Sequence, residues 1–184
     1  MTILNRRVFL GASASALALG GCANGVGGTG GPRMDSRVDA TRDFLFSRYP
    51  GTRDLAQKAY GVLYMPLMTE AGFGIGAAYG KGALRINDVT VDYYSATRAT
   101  IGLQIGAQQY AHALFFMTEA ALGDFRRASG WAASADIRYA TPNEGASIGK
   151  ETTEYAPVIA FVFGQSGLIL GATLAGSKYT RIIP

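Results

Sequence analysis

Two singular residues could carry chemistry in this 184-residue chain: its lone histidine, His112, and its lone cysteine, Cys22. A histidine-based triad would have to use His112. Its setting between Ala111 and Ala113 suits a core or surface histidine better than a base. One cysteine and one histidine cannot make a zinc set. The acids form no Asp-x-Asp-x-Asp-Gly loop for calcium. Gly72-x-Gly74-x-x-Ala77 has the spacing of a dinucleotide fingerprint, but a helix should follow it, and the chain keeps alternating instead. The expectation is a non-enzyme without cofactor or metal.

Cys22 has a different chemistry. Arg6-Arg7 are followed by Val8-Phe9-Leu10, a small apolar run from Ala12 to Leu19, and Leu19-Gly20-Gly21-Cys22. A basic start, a short apolar stretch and small residues at the end form a secretory signal, here of the twin-arginine type. The apolar stretch is well short of the roughly 20 residues a spanning helix needs. The Leu-Gly-Gly-Cys end resembles the lipobox of bacterial lipoproteins. That resemblance implies cleavage before Cys22, a diacylglycerol thioether on its sulfur, and fatty acylation (a palmitate, for example) of the new amine. Ala23 follows the cysteine where an aspartate would resemble an inner-membrane retention signal. Residence at the periplasmic face of the outer membrane is therefore expected.

Residues 1–21 carry Arg6 and Arg7 and no acid, so removing them lowers the net charge from +4 to +2 and leaves 163 residues. So small a charge gives no reason to expect nucleic acid. The length suits one domain with one core, and a 48% hydrophobic content can build that core without disulfides. Residues 22–34 read as a lipid-anchored tether, with five glycines among residues 23–32. The folded domain is expected over 35–184.

The elements that must position the candidates follow from periodicity. Asp35 or Ser36 could cap a helix running to about Tyr49, with Val38 and Leu45 on one face, stopped by Pro50-Gly51. A second short helix is expected over 52–60. From Gly61 the period becomes alternating. Strands are expected over 61–65, ended by Pro66, then 71–84, 89–96, 100–108, 111–118, 133–139, 156–163, 167–174 and 179–183. Asn87-Asp88 and Gly164-Gln165-Ser166-Gly167 read as hairpin turns. Glu119 to Arg127 reads as a helix ended by Gly130, and residues 140–153 as a loop. The uncharged stretch 155–177 is long enough to span a membrane, but Pro157 and the polar Gly-Gln-Ser-Gly break favour a buried hairpin. Between 72 and 82 every even position is Gly or Ala, while the odd positions are Phe73, Ile75, Ala77, Tyr79 and Lys81. Alternation puts the glycines on one face, so another element or a ligand must approach that bare backbone. The fold class is α+β: a large curved antiparallel sheet, of the kind that closes toward a barrel, with N-terminal helices and a short mid-chain helix packed on it.

Lys58-Ala-Tyr-Gly-Val-Leu-Tyr-Met-Pro66, Ala71-Gly-Phe-Gly-Ile-Gly76 and Tyr79-Gly-Lys-Gly-Ala-Leu84 resemble the SYLF domain family. Ala99 to Gln108 is similar to its second glycine motif, and Ser166 to Gly176 to its C-terminal one. The resemblance covers roughly residues 36–183. It implies a phospholipid-binding module, exported and often lipid-anchored in bacteria, with basic residues contacting anionic headgroups. Lys58 matches the first lysine of the family's Lys-Ala-x-Gly motif and Lys81 lies within Tyr-Gly-x-Gly, whereas Tyr60 stands where the family often has a basic residue. Arg85, Arg98 and Lys178 flank the strand motifs. The expected function is an envelope lipoprotein that binds anionic phospholipid. The alternative is a structural or protein-interaction lipoprotein.

Overall fold

A computed structural model describes residues 28–134, 137–139, 156–164, 167–168 and 173–184. The expected signal segment, Cys22 and the expected loop over 140–153 lie outside the described residues.

Helix α1 spans Gly30–Arg48 and α2 spans Gly51–Lys58. The first helix therefore begins inside the stretch expected to be tether, ahead of the expected cap at Asp35. Pro32 permits this, because the first four amides of a helix have no intrahelical acceptor and proline lacks only such an amide. Gly30 lies against the C-terminal Pro184, whose carbonyl group would collide with any β-carbon there. Met34, Val38 and Leu45 of α1 and Leu55 of α2 are buried. The Thr52 hydroxyl lies 2.7 Å from the Tyr49 carbonyl oxygen and 3.3 Å from that of Leu45, joining the two helices at their corner.

Strands β1 (Gly61–Ile86) and β2 (Val89–Phe116) form one long antiparallel hairpin. Its turn is Asn87-Asp88, with φ of 50° and 62°, the left-handed pair that a tight primed turn requires. The strands expected to be separate are continuous. Pro66 does not end β1, because it falls in a register shift between Met65 and Met68 where a missing amide breaks no ladder bond. Downstream, the glycine face meets the strand's own beginning. A β-carbon on Gly80 would strike the Leu67 carbonyl oxygen, and one on Gly82 that of Tyr64. The second half of β1 crosses its first half at backbone contact, and this curls the sheet. The close approach expected from the glycines comes from the same strand.

Helix α3 (Glu119–Arg127) is capped by Thr118, whose hydroxyl oxygen accepts from the Ala121 amide at 3.2 Å. Five further strands complete the described sheet: β3 (Trp131–Ala132), β4 (Arg138–Tyr139), β5 (Val158–Gly164), β6 (Gly167–Leu168) and β7 (Lys178–Ile182). The order is β3-β7-β2-β5-β4, with β1 on β2 and β6 on β5. Among the described residues only the β4–β5 pair is parallel. Of the strand expected over 133–139, β4 covers residues 138–139, and β3 lies just ahead of it. Gly164 pairs with Gly167, as expected of a hairpin. Among the described residues no helix is long and apolar enough to cross a membrane. The architecture is α+β with a curved sheet.

The sheet buries both faces over part of its length. On the inner face Met65, Met68, Leu114, Phe116 and Tyr179 pack with Phe125 of α3. On the outer face Tyr64, Ala83, Phe115 and Phe161 pack under α1 and α2.

Candidate functional site

Strand parity decides the fate of each candidate cation. In an antiparallel sheet, residues directly opposite one another share a face. Ala83 pairs with Tyr93 on the outer face, beneath α1. Arg85 shares that parity and is clamped under the helix. Its Nη1 lies 3.0 Å from Asp39 Oδ1 and donates to the Asp88 carbonyl at 3.1 Å, while Nη2 is 4.0 Å from Asp35 Oδ1. The side chain is 10% exposed. Asp35 also accepts from the hydroxyls of Thr90 and Tyr93, so this cluster ties α1 to the hairpin.

Arg98 has the opposite parity. It pairs with Ala78 and turns to the inner face, where Nη2 meets Glu70 Oε2 at 2.8 Å and Nη1 donates to the Thr173 carbonyl. The two side chains are 14% and 8% exposed. Arg85 and Arg98, grouped with the headgroup cations on sequence grounds, are thus held by carboxylates within the fold.

Lys81 and Lys178 fall elsewhere. Past Ala83 the outer face of β1 runs on through Lys81, Tyr79, Ala77 and Ile75, beyond the cover of the helices. Ile75 is 76% exposed and Tyr79 50%. The ladder places Tyr79 opposite Thr97, Thr97 opposite Lys178, and Lys178 opposite Ala132. All four residues of this row are exposed, while the adjacent row of Gly80, Ala96 and Tyr179 is buried. Lys81 sits two positions along β1 from Tyr79, opposite Ser95. Strands lie ~4.8 Å apart, so Tyr79 and Lys178 are separated by about two strand spacings. One face therefore carries two lysines, two large exposed apolar residues and the small exposed residues Ala77 and Ala99. Neither lysine has a carboxylate partner among the described residues. The aliphatic stem of Lys178 fills the space a side chain at Gly130 would take. Lys58 is exposed in the last turn of α2, where a cation complements the helix dipole, and no pairing places it in this row.

His112 is fully buried, and its Nε2 lies 2.8 Å from the Tyr179 hydroxyl oxygen. Burial, and then the positive charge of Arg98, push its pKa down to about 3, so the ring is neutral at ordinary pH. The spacing Gly145-Ala-Ser147-Ile-Gly149 is that of a serine elbow and lies outside the described residues. A triad built on it would need His112, which is closed to solvent. Among the described residues no three His, Cys, Asp or Glu side chains could hold a metal ion together.

No family model matches the chain. The chain is similar to Beta cell expansion factor A of Aeromonas veronii, at 27% identity over 152 residues. The match covers 79% of this chain and 55% of that protein, so the chain spans about half the length of its curated relative.

Proposed function

We propose that this chain is a cell-envelope lipoprotein, acylated on Cys22 at the periplasmic face of the outer membrane, whose domain binds anionic phospholipid. The sequence motifs that resemble the SYLF domain support the reading. So does one structural observation, which carries the site: Lys81 and Lys178 share an exposed sheet face with Ile75 and Tyr79. A surface with apolar residues and cations that no described carboxylate pairs suits a layer of anionic headgroups over acyl chain. Each lysine near such a surface contributes about 1 kcal/mol of attraction. Ile75 and Tyr79 would add roughly 25 cal/mol per Å² of apolar area withdrawn from water. Lys58 is a further cation outside this row. Because α1 starts at Gly30, only residues 23–29 separate the proposed anchor from the domain.

The test is vesicle flotation at low salt with a chain beginning at Gly28, which includes every described residue and lacks Cys22. Flotation with phosphatidylglycerol vesicles and little with phosphatidylcholine is expected. Reversing both lysines, Lys81→Glu with Lys178→Glu, should weaken it at least tenfold, and Ile75→Ser by a smaller factor. Failure to float with either vesicle would reject lipid binding and favour the protein-interaction alternative. Undiminished flotation of the double reversal would reject this face as the site.

A further inference from the structure

A cavity of about 590 Å³ opens between α1, α2 and the Asn87-Asp88 turn, away from the bare sheet face and lined entirely by described residues. That volume is in the range of small-ligand pockets. Phe46, Val62 and Tyr64 give it an apolar side, and Arg42, Arg53 and Arg85 a cationic one. Asp43 and Asp88 also line it.

These groups differ in how far they are already engaged. Arg85 is consumed by α1. Arg42 is 3.0 Å from Asp43, 3.3 Å from Asp88 and 3.7 Å from Asp39, but those carboxylates are 66%, 72% and 44% exposed, and such pairs hold weakly. Arg53 has no carboxylate partner among the described residues. Its guanidinium is held over the Phe46 ring, 5.5 Å from the centroid. Tyr64 is 1% exposed and lines the cavity, and its hydroxyl feels the charges of Asp88 and Arg42 there. Burial raises its pKa, so it remains a proton donor.

We propose that this cavity is a binding pocket for a singly charged phosphodiester, held by Arg53, Arg42 and the Tyr64 hydroxyl, with an apolar portion against Phe46 and Val62. The donors arrive from α2, α1 and β1, and donors converging from three elements suit a tetrahedral oxyanion better than a planar carboxylate. A dianionic phosphomonoester would be repelled by Asp43 and Asp88 once its first charge is met. The phosphodiester could belong to a lipid headgroup or to a free water-soluble ester. The pocket does not depend on the sheet-face reading, and either can fail alone.

Calorimetric titration of the full-length protein tests it with three probes: glycerophosphoglycerol, dihexanoylphosphatidylglycerol below its micellar concentration, and hexanoate. Binding of glycerophosphoglycerol identifies a free ester as sufficient, whereas binding of the dihexanoyl compound alone identifies a lipid. In both cases Arg53→Ala and Tyr64→Phe should each weaken binding about tenfold, and Lys81→Glu should leave it unchanged. Circular dichroism of the variants checks that the fold is retained. The proposal is overturned if neither phosphodiester binds below about 1 mM, if hexanoate binds more tightly than both, or if folded Arg53→Ala and Tyr64→Phe proteins bind as the parent does.

Discussion

Gly82 lies against the carbonyl oxygen of Tyr64, closer than a β-carbon at position 82 could be tolerated. Both residues belong to β1, so the contact records a strand folded across itself. The obstacle is backbone, which cannot rotate away as a side chain can.

Gly82→Ala should therefore destabilise the protein by more than the ~1–3 kcal/mol typical of an overpacked core, or prevent folding. Gly123→Ala is the milder comparison, since a β-carbon there meets only the end of the exposed, flexible Arg127 side chain. Urea unfolding of the pair measures the difference. Equal midpoints would contradict the crossing.

Glu70 and Arg98 form an ion pair closed off on the inner face. Removing one partner leaves a buried charge alone. Glu70→Gln and Arg98→Met should each cost about 3–5 kcal/mol. The double variant should recover much of that loss, because no orphan charge remains. A double-mutant cycle by chemical denaturation reads the coupling. Additive losses would show that the two side chains do not depend on each other.

His112 makes stability depend on pH. Its pKa in the folded protein, about 3, lies below the ordinary value of 6.5, so the unfolded chain binds more protons in between. The stability due to the neutral ring is present above about pH 6.5 and is lost as the pH falls toward 3. The slope from this one group can reach ~1.4 kcal/mol per pH unit. Denaturation midpoints measured from pH 7 to pH 4 should fall more steeply for the parent than for His112→Gln. Parallel curves would mean that the histidine is not the proton acceptor.

Much of the framework was legible in the residues because it is local. The change from helical to alternating period at Gly61, the Asn87-Asp88 turn and the helix over 119–127 each follow from neighbours a few positions apart. The even-numbered glycines also announced a close backbone approach, since a whole strand face without side chains has to be covered. The start of α1 was misplaced because a capping residue at Asp35 is a weaker constraint than the packing of Gly30 on Pro184, which closes the chain from its far end.

The candidate site divides along the same line. The resemblance to the SYLF domain singled out Lys81, Arg85, Arg98 and Lys178 as cations next to strand motifs, and along β1 parity also put Lys81 on the face opposite the glycines. Their different fates depend on what lies above and below the sheet. Asp39 reaches Arg85 from α1, Glu70 reaches Arg98 across the hairpin, and the helices end before Lys81 and Lys178. The sequence alone determined which residues carry charge and how they alternate, because both are properties of the chain. Only the tertiary structure decided which charges are neutralised, because partners distant in sequence meet through the curl of the sheet and the length of the helices laid on it.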